Sequence, residues 1–380
     1  MVKIHSASVL FTSAIAALAS ASPVADVKRD VAAPTNKVVM DNDYAARAWN
    51  SFLLALNAGW DVLGLTASTG DTWMPQGVEH ALANLELGGL SCIPVYAGSV
   101  YPLLNTPELF QTWQKIHGAV VWQGSFAPEN ATLEAEGMDP TSGDPFRINT
   151  KALVMQPTTM VQNRTGAVNF MIEQVYKYPG QVSIYAAGAL TNVALAVRSD
   201  PKFASLAKEL VIMGGYIDVN MLAATGSPYV TDLNTDINTM YDPEASKIAL
   251  TADFPNITIA GNVANSIIPT DEWFDELVKV ESPYTKYIKE NGPGMIFPFW
   301  DDIAGAILVE PAIVTNSTKV YIDVDTAWSS PSYGTVRAYA KDLAPMGTRE
   351  VNYVNKINET RFYEILTHSL QYPKTCADLS

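Results

Sequence analysis

Basic residues are scarce in this 380-residue chain: 24 Lys and Arg stand against 39 Asp and Glu, giving a formal net charge of -15. Phosphate backbones and anionic membranes are bound by basic surfaces, so neither nucleic acid nor membrane is expected as a partner. Small neutral or cationic ligands stay open. Histidine is nearly as rare. Beyond the first 29 residues only His80, His117 and His368 remain, too far apart for a metal-ligand spacing, which argues against zinc. His80 and His368 fall in amphipathic helical patterns with no cluster around them. Neither a phosphate-binding glycine loop nor G-x-S-x-G occurs, leaving nucleoside triphosphate use and serine hydrolase chemistry without support. No internal repeat and no low-complexity linker divides the chain.

The apolar run from Val9 to Leu18 is too short to span a bilayer. Preceded by Lys3 and followed by Ala19-Ser20-Ala21, it has the layout of a secretory signal with an A-x-A cleavage site, read as residues 1–21. Lys28-Arg29 offers a dibasic site closing a propeptide at 22–29, and residues 30–380 read as one domain. Two features agree with an extracellular destination. Sequons stand at Asn130, Asn163, Asn256, Asn316 and Asn358, and the only cysteines are Cys92 and Cys376. If the cysteines pair, the bridge closes most of the mature chain into one loop, worth roughly 4 to 5 kcal/mol in the chain-entropy model. The alternative is two buried thiols.

At 48% hydrophobic residues the chain can bury a large core. Strand-length apolar runs occur at Val38 to Met40, Val62 to Thr66, Ile93 to Tyr96, Val182 to Ala186, Leu210 to Met213 and Ile257 to Ala260. Amphipathic stretches fall between them, such as Val78 to Glu86 and Asn169 to Lys177. Near-continuous apolar strands separated by helices predict an α/β fold, a mostly parallel sheet with helices on both faces. The tail adds Val320 to Asp325, Thr335 to Ala340 and Val351 to Val354, a small antiparallel C-terminal addition, and a helix from Thr360 to Gln371.

Ligand sites in such sheets form at the carboxyl ends of the strands. The first strand ends in Asp41-Asn42-Asp43, two carboxylates whose proximity raises each other's pKa unless a cation or a proton-transfer role uses them. A turn capped by Asn and Asp is the plainer reading of such a triplet. Other strand ends bring Gly70-Asp71, Ala187-Gly188 and Met213-Gly214-Gly215, and later loops bring Asp236, Asn238 and Trp300-Asp301-Asp302.

Four segments in this order resemble the inosine-uridine-preferring nucleoside hydrolase family: Pro94-Val95-Tyr96-Ala97-Gly98 with His117-Gly118, Ala187 to Ala194, Val211 to Gly215, and Asp236-Ile237-Asn238 before Asp242-Pro243-Glu244-Ala245. The signal, dibasic site and C-terminal cysteine look most like a secreted fungal branch. The resemblance implies cleavage of the N-glycosidic bond of ribonucleosides, with calcium binding two ribose hydroxyls and a carboxylate activating water against an oxocarbenium-like transition state. Carried across, Asp43 matches the metal-binding general base, Asp41 its supporting carboxylate, the Ala187 carbonyl and Asp301 further metal ligands. Met213, Asp236 and Asn238 match the ribose-contacting group, Asp71 the family asparagine, and His117 the nucleobase loop.

The family's first motif continues P-G-x-D-D, whereas Asp43 is followed by Tyr44-Ala45-Ala46-Arg47-Ala48. One metal carboxylate and one ribose carboxylate are thereby missing, and Ca2+ rests on Asp43, Ala187 and Asp301 alone. In the alternative, the Arg47 guanidinium fills the cation's place among Asp41, Asp43 and Asp301. Trp300 stands where the family histidine protonates the leaving base. Indole is no general acid but stacks on a base, with Trp73 as a second stacking face or as core. Two readings compete: a secreted N-ribosyl hydrolase, and a decayed nucleoside-binding or structural member. A haloacid-dehalogenase-type phosphatase using Asp41, Asp43, Asp301 and Asp302 ranks below both, since Tyr44 stands where that family has Thr or Val. Assembly into homo-oligomers is left open.

Overall fold

The computed structural model describes residues 36–45, 50–162, 164–217, 236–291 and 297–379. The signal and propeptide segments, Arg47, Ala48 and the sequon at Asn163 lie outside them. Nine strands form one sheet: β1 (Lys37–Asn42), β2 (Asp61–Ala67), β3 (Val95–Ala97), β4 (Val182–Ala187), β5 (Glu209–Met213), β6 (Ile257–Ala260), β7 (Val314–Val324), β8 (Val336–Tyr339) and β9 (Arg349–Ile357). Their order is β3-β2-β1-β4-β5-β6-β9-β7-β8. β1 to β6 are mutually parallel where they pair. β9 joins β6 in parallel, and β7 joins both β9 and β8 antiparallel.

The six expected parallel strands all form. The third begins at Val95 rather than Ile93, because Pro94 has no N–H for the ladder and instead offers its carbonyl to Leu65 N at 2.9 Å. Side chains alternate between two cores as the pleat requires. Val38, Met40, Tyr185 and Val211 pack on one face with the helices Ser51–Asn57, Met74–Leu87 and Trp300–Val309. Val39, Ile184, Ala186 and Ile212 pack on the other with Ala167–Lys177 and Thr191–Ser199. Every residue of β4 is buried, as the central strand of a doubly covered sheet should be. No helix among the described residues is long and apolar enough to cross a membrane.

A long excursion between β3 and the helix Ala167–Lys177 carries the helix Pro107–His117, and its Phe110, Trp113 and Phe126 join Trp73, Met240 and Tyr241 in a third core. Polar contacts tie it down. His80, fully buried, has Nε2 2.7 Å from Asp139 Oδ1, and the Glu86 carboxylate accepts bonds from the N–H and hydroxyl groups of Thr158 and Thr159. His80 therefore has a structural partner that its helical pattern did not reveal.

Cys92 and Cys376 form a disulfide with Cα atoms 5.9 Å apart across a separation of 284 residues. Cross-linking so distant a pair removes freedom mainly from the unfolded chain. Replacing both cysteines by serine should lower unfolding free energy by about 2–5 kcal/mol, read from urea denaturation of the purified variant against the parent.

Candidate active site

β1 delivers three consecutive polar side chains to its carboxyl end, each with a separate set of partners. Asp41 is fully buried; its Oδ1 accepts from Thr66 Oγ1 at 2.6 Å and Asn192 Nδ2 at 2.8 Å. Burial outweighs both bonds and pushes its pKa up to about 7. Its Oδ2 has no hydrogen-bond partner among the described residues. Asn42 accepts from Tyr44 N through Oδ1 and donates through Nδ2 to Asp301 Oδ2 at 3.0 Å. Asp43, 4% exposed, accepts from the Asp71 N–H at 2.7 Å. Its carboxyl is held well above the ordinary range by burial first, then by the charges of Asp71 and Asp301.

The backbone around Asp43 is built for close approach. A Cβ on Gly70 would collide with the Asp43 carboxylate, and one on Gly188 would lie 3.0 Å from the Asp43 nitrogen. Immediately after, Tyr44 has φ +29°, a left-handed conformation that costs a non-glycine residue about 1–3 kcal/mol. The hydroxyl of Tyr44 donates back to the Met40 carbonyl at 2.8 Å, anchoring the bend.

Asp43 faces a small cleft that opens to solvent and is lined also by Asn42, Asp71, Trp300, Asp301 and Asp302. Asp71 Oδ1 accepts from the Trp122 indole N–H at 2.6 Å. Trp122 meets Phe297 edge-on at 5.4 Å, and Phe297 stacks on Trp300 at 5.2 Å with 28° between planes. Trp300 in turn donates to Asn265 Oδ1 at 2.8 Å. The Asp301 carbonyl accepts from the buried Tyr185 hydroxyl at 2.8 Å, fixing the start of the helix Trp300–Val309 against β4.

Of the expected site residues, Asp43, Asp71, Trp300 and Asp301 line this cleft together. Asp41 supports them from beneath. Ala187 ends β4 in register with Asn42. Met213, Asp236 and Asn238 form an adjoining group: Asn238 Nδ2 lies 3.2 Å from both the carbonyl and the sulfur of Met213. Asp236 caps the helix Ile237–Tyr241, and burial pushes its pKa up to about 7, with the charge of Asp71 adding to the rise. These three are outside the cleft's lining. His117 ends its helix with its ring 5.2 Å from Trp113 and does not line the cleft either.

Trp73 requires a correction. It is 1% exposed, packs on Phe126 and donates its indole N–H to the Thr141 carbonyl, so it belongs to the third core and presents no face for stacking. The aromatic partner of Trp300 is instead Phe297, which in turn meets Trp122, and no motif marked either. Trp122 follows His117-Gly118 by four residues, the one local signal that could have pointed to it.

A calcium ion at this site would draw on the carboxylates of Asp43 and Asp301. Asp43 Oδ2 also accepts from the Asp71 N–H, and Asp301 Oδ2 from the Asn42 amide. Among the described residues no group of three or more His, Cys, Asp or Glu is placed to hold a metal ion. Arg47 and Ala48, where the resemblance expects two further aspartates, lie outside the described residues.

The fold and this strand-end cluster define an α/β nucleoside-hydrolase-type protein. A family model for inosine-uridine preferring nucleoside hydrolase matches residues 38–364, and the chain belongs to that family, whose members are N-glycosidases acting on small-molecule nucleosides. An uncharacterized protein of Schizosaccharomyces pombe is 35% identical over 364 residues, covering 91% of this chain and 88% of its own. A probable uridine nucleosidase of Arabidopsis thaliana is 26% identical, covering 73% and 76%. Among solved structures, an inosine-guanosine nucleoside hydrolase shares the fold at TM-score 0.64 and 20% identity, covering 89% of this chain and 99% of its own. A plant nucleoside hydrolase does so at TM-score 0.62 and 22% identity, covering 90% and 100%. Family membership leaves the phosphatase reading without support.

Gly70 makes the sharpest local test. Gly70→Ala should displace the Asp43 carboxylate and lower turnover of a cleaved nucleoside by about 100-fold, with the protein still folded by circular dichroism.

Proposed function

We propose that the chain is a secreted N-ribosyl hydrolase that cleaves ribonucleosides to ribose and free base. The observation that carries this reading is the Asp43 carboxylate, fixed by Gly70 and the Asp71 N–H at a strand end and facing a cleft shared with Asp71 and Asp301. A carboxylate destabilised by burial and like charge is a stronger base than a free one, which suits it to take a proton from water. Negative charge around the sugar favours the oxocarbenium-like transition state over the neutral substrate. Met213, Asp236 and Asn238 would contact the ribose from the side, and Trp300 would hold the base by stacking. His117 is assigned to the base loop, acting only if that loop moves toward the cleft.

Secretion rests on the signal-like residues 1–21, the dibasic site and the sequons. Asn130, Asn256, Asn316 and Asn358 are all exposed and open to glycosylation. The Cys92–Cys376 bridge suits an oxidising compartment. Uridine is the first substrate to try, because the relative in Arabidopsis thaliana is named as a probable uridine nucleosidase.

A decayed, nucleoside-binding member is the second reading, favoured by Arg47 and Ala48 in place of the family's aspartates and by the hydrogen bonds that occupy Asp43 and Asp301. Free-base release from uridine, inosine and adenosine separates the two. The hydrolase reading expects release that falls by about 10²- to 10⁴-fold in Asp43→Asn; no release from any of them at high protein concentration supports decay.

We also infer that the chain in its present sequence binds calcium weakly. Restoring the family pattern with Arg47→Asp and Ala48→Asp should raise calcium retained after dialysis from substoichiometric to about one per chain. Stoichiometric calcium in the parent, measured after chelator challenge, would contradict this.

A further inference from the structure

Two hydrogen bonds grip opposite ends of one peptide group beside Asp43. The Gly70 carbonyl accepts from Ser125 N at 3.1 Å, and the Asp71 N–H of the same peptide donates to Asp43 Oδ2 at 2.7 Å. A peptide group is planar, so a donor held against its oxygen sets the direction in which its N–H points. That donor comes from the short turn Gly124–Phe126, in the excursion after β3. The turn is anchored in its own right. Tyr241, fully buried in the third core, donates its hydroxyl to the Gln123 carbonyl at 2.7 Å. Gly124 has φ +45°, and a Cβ there would collide with the Tyr241 hydroxyl and lie 2.8 Å from the Gly70 oxygen. Only a residue without a side chain lets the turn close on both.

Resting on the hydrolase reading in which Asp43 is the base, we propose that Tyr241 and Gly124 are positioning residues for the reaction, acting on the Asp43 carboxylate through Ser125 and the Gly70–Asp71 peptide. Neither lines the cleft. Without the Tyr241 hydroxyl the Gln123 carbonyl loses its anchor, and the Ser125 N–H is free to drift from the Gly70 oxygen. The peptide plane then turns, carrying the Asp71 N–H away from Asp43. A base held less accurately slows the chemical step, because proton transfer depends on the placement of its oxygen, whereas substrate contacts elsewhere in the cleft are kept. The loss therefore falls on kcat rather than KM.

The test is a double-mutant cycle on the purified full chain, with free-base release from uridine, inosine and adenosine as the assay. Tyr241→Phe, which removes one oxygen and keeps the ring, should lower kcat by about tenfold with KM within about twofold of the parent. Tyr333→Phe removes another hydroxyl of the third core, one bonded to Glu244, and should leave kcat within about twofold. In a Gly70→Ala background, where the Asp43 carboxylate is already displaced, Tyr241→Phe should have a further effect of less than about twofold. Gly124→Ala, placed in the same cycle, should lower kcat in the same way and replaces Tyr241→Phe where that variant does not fold. An unchanged kcat, equal losses in Tyr241→Phe and Tyr333→Phe, a loss confined to KM, or full additivity with Gly70→Ala overturns the inference and leaves the hydrolase reading standing. No base released by the parent from any of the three nucleosides overturns both.

Discussion

Like charge gathered at the carboxyl ends of parallel strands is the constraint around which the rest of this structure is arranged. Asp43 sits within the influence of Asp71 and Asp301 while almost out of solvent, a combination that burial and repulsion both oppose. What holds it there is backbone: the Asp71 N–H, the bare Cα of Gly70 and the tight approach of Gly188. Asp41 lies one layer deeper, bonded to Thr66 on β2 and to Asn192 in the helix that follows β4, so the site is anchored to the centre of the sheet. A parallel sheet buried on both faces makes this feasible, since its rigid strand ends bring residues from distant parts of the sequence to one rim.

Near that cluster stands a group of linked aromatic rings. An indole occupies the position that the family resemblance gives to an imidazole, and two further aromatic rings extend it into a wall that also grips a carboxylate. Tyr44, held at positive φ right after Asp43, marks where the chain departs from the family motif and where backbone strain is concentrated.

Much of the fold was legible in the sequence because it depended on local pattern. Apolar runs of strand length alternating with amphipathic stretches located β1 to β6, and Asp41, Asp43, Asp71 and Asp301 could be placed at one rim because strand ends share an edge. Contacts that depend on three-dimensional packing were not legible. The role of Trp73 turned on whether its ring met solvent or Phe126, and no spacing rule distinguishes the two. Trp122 and Phe297 come from loops far apart in sequence and meet only in the folded chain. The parallel junction of β6 with β9, which attaches the antiparallel tail to the main sheet, joins segments nearly 100 residues apart, as Thr258 pairs with Asn352. His80 gave no hint of Asp139 because its partner arrives from the excursion after β3.

The central claim, that Asp43, Asp71 and Asp301 surround the sugar of a bound nucleoside, is tested most directly by a crystal structure with a hydroxylated pyrrolidinium that mimics the charged ribose ring. The account predicts that its ring nitrogen lies in the cleft within hydrogen-bond reach of the Asp43 carboxylate, with Trp300 flanking the side from which the base would leave. Binding elsewhere on the molecule, with the cleft empty at saturating concentration, would contradict it.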